Sequence, residues 1–328
     1  MKRVRNGRPP FRTRFRVDRK GLGARVANVA KGGGMDCHID VRFFPAPPDL
    51  EGCFSSFYSG TFTVADGKRV NDLLQPEWAN LRFFAGDRPD AGVPGGDVLK
   101  GARLTATGPS SLPVHFELGT TRMWGVGLFP LGWAKFCNGS ATEVANRVVD
   151  GETHPAFANF TGLADELFGA RPDQQAELGR IIACFRSLNR EVPDEARIVA
   201  IHAAVVDIAV ASVTDFSDHT GLGRRTLERL CHRYFGFSPK LLLRRQRFMR
   251  SLAQFMLENA TNWSEAMDSH YHDQAQFVRE FRSFMGMSPG EYAAREHPIL
   301  SAFMKERARV WGAAAQTLDR PAKPRPRG

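Results

Sequence analysis

The sequence predicts an α+β fold: a β-rich amino-terminal domain of barrel or half-barrel form, a helical linker and an all-α carboxy-terminal domain. Three observations carry this. Short apolar stretches between Gly, Pro and Asp turns fill the segment from Ile39 to Phe136. Leu178, Ile181, Ile182, Phe185 and Leu188 then recur at helical spacing. Last, a pattern around Leu227 returns around Phe277, fifty positions later, and both copies close on Gly-x-Ser-Pro.

Taken in order, residues 1–34 are Arg-rich, poor in apolar side chains and end in Gly-Gly-Gly, which predicts a disordered basic arm or a start codon placed upstream of a natural start at Met35. Residues 35–160 form the β-rich domain. Val114-His115-Phe116-Glu117-Leu118 alternates with period two, and Thr61–Val64 and Leu81–Phe84 are further strand candidates. Residues 161–193 form the linker, whose apolar stripe needs a partner surface: its own barrel, or the same helix of a second subunit in a homodimer. Residues 194–297 are the helical domain and residues 298–328 a basic, flexible tail. The 328-residue chain, 42% apolar, is long enough for two cores.

The net charge of +10 is uneven. Residues 1–34 hold eleven Lys or Arg against Asp18 alone, and the tail from Lys305 holds seven basic residues against two acids, so the body between them is acidic. Within it, the stretch from Leu222 to Arg250 has nine basic residues against Glu228 alone. That local excess is the electrostatic sign of nucleic acid. Five scattered cysteines without metal-ligand spacing indicate reduced thiols in a cytoplasm, near the nucleoid. No apolar run approaches the roughly 18 residues of a membrane span.

Each repeat reads as a helix-turn-helix. In the first, Val213–His219 is the positioning helix, Gly221 the turn and Arg224–Tyr234 the reading helix. Leu227, Leu230, Cys231 and Tyr234 share its inner side, leaving Arg224, Arg225, Glu228 and Arg229 outward. Arg pairs bidentately with guanine and Glu accepts from cytosine. In the second, Ser264–Ser269 positions and Gln274–Phe284 reads, with Gln274, Gln276 and Arg279 opposite Phe277, Phe281 and Phe284. Gln suits adenine. From Glu258 to Glu280 five acids face Arg279 alone, so this unit is expected to approach phosphate less readily.

Thr226-Leu227-Glu228-Arg229-Leu230 through Gly236-Phe237-Ser238-Pro239, and Tyr271-His272-Asp273-Gln274-Ala275-Gln276-Phe277-Val278-Arg279 through Gly286-Met287-Ser288-Pro289, resemble the DNA-binding domain of the AraC/XylS family of bacterial transcriptional regulators. The resemblance spans residues 197–297, and since the family usually has glycine in the second turn, where this chain has His270 before Tyr271, it implies a non-glycine residue at positive φ there. It implies two helix-turn-helix units joined by a long helix from Pro239 to about Leu257, binding duplex DNA at a promoter or operator and acting on the transcription machinery. It also favours a homodimer through the linker helix. Gln75–Phe83 and Gly125–Trp133 resemble, more loosely, the cupin-like domain of a subset of these regulators, which implies a small-molecule effector site. Trp78, Phe83, Phe116, Trp124 and Trp133 are the aromatic candidates for an apolar pocket there.

Catalytic and cofactor chemistry finds no motif. There is no nucleophile elbow, phosphate loop or dinucleotide fingerprint, and His270-x-His272, His38, His115 and His154 form no ligand set. The expectation is a regulator without catalytic residues, metal or cofactor. The alternative is a cupin-type binding protein or enzyme with a DNA-binding appendage.

Overall fold

The computed structural model describes residues 27–30, 37–65, 67–258, 263–311 and 315–321. The strands among them are β1 (Ala27–Ala30), β2 (Cys37–Phe44), β3 (Phe54–Val64), β4 (Val70–Leu74), β5 (Ala79–Phe84), β6 (Asp90–Gly92), β7 (Leu99–Lys100), β8 (Leu104–Thr107), β9 (Val114–Leu118), β10 (Thr121–Leu128) and β11 (Val148–Asp150). They pair antiparallel into two sheets, one in the order β1-β2-β3-β10-β5-β8-β11, the other β4-β9-β6-β7. The two sheets face each other as an open half-barrel. β1 pairs with β2 from Ala27 opposite Asp40, so the segment expected as a disordered arm holds an edge strand. The rest of that arm lies outside the described residues.

The large sheet is covered on both faces, and strand parity sorts its side chains. On β5, Leu81 and Phe83 point to the helical side, while Asn80, Arg82 and Phe84 point between the sheets. On β8, Leu104 and Ala106 join the first set, Thr105 and Thr107 the second. β10 carries Gly125 beneath Tyr58, where a Cβ would meet the ring at 2.0 Å, so only glycine lets the ring lie flat on the strand.

The helices are α1 (Pro130–Phe136), α2 (Leu163–Leu167), α3 (Gln174–Ser187), α4 (Glu195–Val206), α5 (Val213–Thr220), α6 (Arg224–Leu230), α7 (Pro239–Glu258), α8 (Trp263–Ala266), α9 (Gln274–Met285), α10 (Pro289–Ala293) and α11 (Pro298–Trp311). Asp173 caps α3 by accepting from Ala176 N at 3.0 Å. The stripe of α3 is buried within its own subunit. Phe185 packs edge-on against Phe54 and Phe136, and Glu177 accepts from Trp124 Nε1 at 2.7 Å and Arg122 at 2.9 Å. Of the two partners expected for this stripe, its own β domain buries Leu178, Ile181 and Phe185, while Ile182 and Leu188 stay partly exposed.

Two further expectations are corrected. The boundary near residues 189–194 is a loop in the chain but not a gap in packing: Ile198, Ile201, Phe216, Leu227 and Leu230 share one apolar core with Phe57 and Trp133. The tail is not flexible over its first part. Pro298 opens α11, and Ile299, Leu300, Ala302 and Met304 are buried against β2, β4 and α7. Apolar residues at helical spacing behind an N1 proline outweigh the basic composition of the segment. Among the described residues no helix is long and apolar enough to cross a membrane.

Candidate nucleic-acid interface and ligand cavity

α5 starts at a capping box: Ser212 Oγ accepts from Asp215 N at 3.1 Å while the Asp215 carboxylate accepts from Ser212 N at 2.9 Å. Gly221, at φ +65°, ends the helix and turns the chain into α6. Leu227 and Leu230 anchor α6 in the core, and Arg224, Arg225, Glu228 and Arg229 are all exposed. Arg224 donates to Thr214 Oγ1 at 3.1 Å, tying the reading helix to the positioning helix. Glu228 faces His232 Nε2 at 3.2 Å.

The second unit uses different local chemistry. No described residue from Trp263 to Met285 has positive φ, so His270 does not take the conformation expected for a turn glycine. The side chain of Asp268 shapes the turn instead. Its Oδ1 accepts from His270 N at 2.9 Å, and its other oxygen pairs with Arg250 of α7. Burial pushes the Asp268 carboxyl up, but Arg250 and the His270 N–H outweigh it and hold the group below its usual range. Asp273 caps α9 through Gln276 N at 2.6 Å, and Phe277, Phe281 and Phe284 are buried. Gln274 and Arg279 are exposed. Gln276 is half-buried, and its Oε1 accepts from His272 N at 3.0 Å, so it helps to build the turn as well as facing the outer side.

The charge balance changes once the units are assembled. Glu280 accepts from Arg244 at 2.9 Å, Arg247 at 2.6 Å and the Tyr271 hydroxyl at 2.9 Å. The acids of the second unit therefore meet the arginines of α7, and the basic excess and the acidic excess seen in the sequence partly cancel inside the domain. Arg245, fully buried, contacts the β domain instead: it donates to Ser110 O at 3.0 Å and lies 4.0 Å over the Trp78 ring. Burial pulls its guanidinium down to about 9, still a cation at neutral pH. Of the basic stretch from Leu222 to Arg250, the groups left exposed are Arg224, Arg225, Arg229, Arg233 and Lys240, and the second unit adds Arg279 and Arg282. Lys240 stands at the start of α7, in the cleft between the units beside Arg244, Arg279 and Gln276. Sequence reasoning missed it, although its position one residue after Ser-Pro was a signal.

The other site is a cavity of about 130 Å³ between the sheets. Its walls include Tyr58, Phe62, Phe84, Phe116 and Met123. Of the five aromatic candidates only Phe116 lines it. Phe83 and Trp124 sit on the opposite face of the sheet, Trp133 packs in α1 against Phe157, and Trp78 wedges between Arg245, Phe235 and His202. The physical reason is parity on a sheet buried on both faces, where aromatic content alone does not select a side. Arg82, Asn80, Thr105 and Thr107 form the polar end, with Glu77 accepting from Arg82 at 2.7 and 2.8 Å, from Gln316 at 2.7 Å and from Thr107 at 3.2 Å. No group of three or more His, Cys, Asp or Glu able to hold a metal occurs among the described residues.

His202 of α4, packed on Trp78 and Phe129, gives a pH-dependent readout of this junction. Burial, and then Arg245, pull its pKa from 6.5 down to about 3, against a smaller pull from the Asp319 backbone. The folded state therefore holds neutral imidazole, and its contribution to stability is complete above pH 6.5 and declines as pH falls towards 3. In that window the group adds about 1.4 kcal/mol per pH unit. Unfolding free energies of wild type and His202→Leu, measured from pH 4 to 7, should diverge by that slope. Parallel curves would contradict the burial of a neutral histidine here.

Two capped helix-turn-helix units on one linker helix, with arginine and glutamine outward on α6 and α9, define a tandem helix-turn-helix domain. Residues 216–295 match the model of a helix-turn-helix domain, and a β-rich domain precedes them. No curated protein matches the chain. Among solved structures it is similar to ToxT from Vibrio cholerae, at 9% identity over 69% of this chain and 97% of that one, with a TM-score of 0.40. A second ToxT structure, from Vibrio cholerae O395 bound to (E)-4-(8-methylnaphthalen-1-yl)but-3-enoic acid, matches at 10% identity, covers 69% and 97% of the two chains and has a TM-score of 0.41. The AraC-like transcriptional activator CuxR matches at 12% identity over 70% and 86%, with a TM-score of 0.28.

Proposed function

We propose that the protein places α6 and α9 in successive major grooves of an operator and passes a small-molecule signal from the cavity between its sheets to transcription machinery bound nearby. Arg225, Glu228 and Arg229 read base edges in one half of the site, Gln274 and Arg279 in the other, and Arg224 and Lys240 contact phosphate. What supports this reading is the placement of these side chains: all are exposed, on α6, on α9 and at the start of α7, and α7 packs against α5 of the first unit and is tied to the second by Glu280 and Asp268. A binding role rather than a catalytic one follows from the absence of any recognisable nucleophile, base or ligand motif in the sequence.

Selection of the full-length chain against a random duplex pool tests this reading. The expected product is a motif with two conserved blocks about one helical turn apart, roughly 10 base pairs. The logarithm of the binding constant should fall linearly with the logarithm of salt, by nearly one unit of slope per neutralised phosphate. A pool that returns no preferred sequence would leave only a non-specific DNA coat, and the regulator reading of α6 and α9 would fail. The isolated segment 197–297 is a poor substitute for the full chain. Cutting there exposes Arg245, Tyr292 and Met249, which are buried in the intact protein.

A further inference from the structure

The fourth wall of the cavity comes from a segment beyond the DNA-binding domain. Ile299, Phe303 and Met304 of α11 and Gln316 of the following turn close the space that the sheets leave open. This wall is tied down at three places. The Asp72 carboxylate on β4 accepts from Ile299 N and Leu300 N, both at 2.9 Å, where two unpaired donors begin α11. Gln316 donates to Glu77 at 2.7 Å and its own oxygen receives the Ser55 hydroxyl. Gln246 of α7 donates to Thr317 O at 2.6 Å. The wall therefore touches the cavity on one side and the helix that joins the two DNA-reading units on the other.

Size, charge and one hydroxyl narrow what fits. An apolar cavity of about 150 Å³ accepts a benzene ring, and this one is about 130 Å³. Phe62, Phe116 and Phe303 offer ring edges and faces, with Phe62 and Phe303 nearly parallel at 6.2 Å. The charged groups at the polar end are matched within the protein, Arg82 by Glu77 and Arg307 by Asp319. A ligand with a net charge would enter without a counterion, which is costly in a buried site. Thr105, only 3% exposed, has a hydroxyl with no hydrogen-bond partner among the described residues and lines the same end. Buried hydroxyls are normally paired.

We infer that the cavity holds one compact, uncharged, single-ring molecule bearing one hydroxyl or carbonyl, and that α11 and its following turn form the wall that relays its presence to α7. The inference rests on the effector reading of the cavity and adds the ligand class and the carrier of the signal. Calorimetric titration of the full-length protein with p-cresol, benzoate and decanoate is the test. Saturable one-to-one binding of p-cresol alone is expected, with a change in affinity for the selected DNA. Thr105→Val should weaken p-cresol about tenfold and leave toluene unchanged, since one buried hydrogen bond is lost. Phe303→Ala should weaken p-cresol and admit 2-naphthol, because the ring removed belongs to the wall. Binding of benzoate or decanoate in place of p-cresol would overturn the ligand class while sparing the effector reading. Binding of none of the three would overturn both. A Phe303→Ala protein that still binds its DNA but prefers p-cresol as before would remove α11 from the site.

Discussion

Arg82→Met should destabilise the protein by about 3–5 kcal/mol, the usual cost of leaving one partner of a buried ion pair without the other. Arg82 and Glu77 meet at 2.7 Å, with both side chains 9% exposed. Burial alone would push Arg82 towards its neutral form, and the Glu77 carboxylate more than reverses that. Methionine keeps most of the volume but removes both hydrogen bonds that Arg82 Nη2 gives Glu77 and the one that Arg82 Nε gives the Tyr58 hydroxyl at 3.0 Å. The Glu77 carboxylate would then rest on the uncharged donors Thr107, Gln316 and Asn80. Adding Glu77→Gln should recover most of the loss, because a neutral amide has no charge to compensate. Denaturant unfolding of the single and double variants measures both quantities. A single variant within about 1 kcal/mol of wild type would show that water shares the pair.

Arg225→Ala and Arg229→Ala should each weaken binding to the selected operator by about 1–3 kcal/mol, and far less on random duplex. Both side chains are exposed on α6 and neither is engaged in an ion pair among the described residues, so the protein offers them no competing partner. Gln276→Ala should do less, since its Oε1 already serves the His272 N–H. Competition titrations with operator and random DNA separate the outcomes. Equal losses on both would reassign the two arginines to phosphate. A Gln276 variant as weak as the arginine variants would mean that its amide reaches a base after all.

The helix-turn-helix units were legible because their signals are local. Ser212 and Asp215 form a capping box four positions wide, Gly221, Gly236 and Gly286 end helices at positive φ, and the apolar side of α9 is read from Phe277, Phe281 and Phe284. The second turn was misread because its determinant, Asp268, works through Arg250 on another helix. The strands Val114–Leu118 and Leu81–Phe84 were also visible, since alternation and turn residues lie within a few positions.

By itself, the sequence determined the order of elements, the tandem units and the outward arginines of α6, all governed by periods of two and 3.6 residues along the chain. Only the tertiary structure decided which of two buried faces of the large sheet borders the cavity, and so put Phe116 in its wall and Trp124 and Phe83 behind it. Tertiary structure also decided that Arg244, Arg247 and Arg250 answer Glu280 and Asp268, that α3 packs on its own subunit, and that the segment after Pro298 closes the half-barrel. Each of these depends on groups brought together from distant parts of the chain. Partners as far apart as Glu77 and Gln316, 239 positions, leave no periodic trace in the sequence, because their pairing is fixed by the packing of whole elements and not by their spacing.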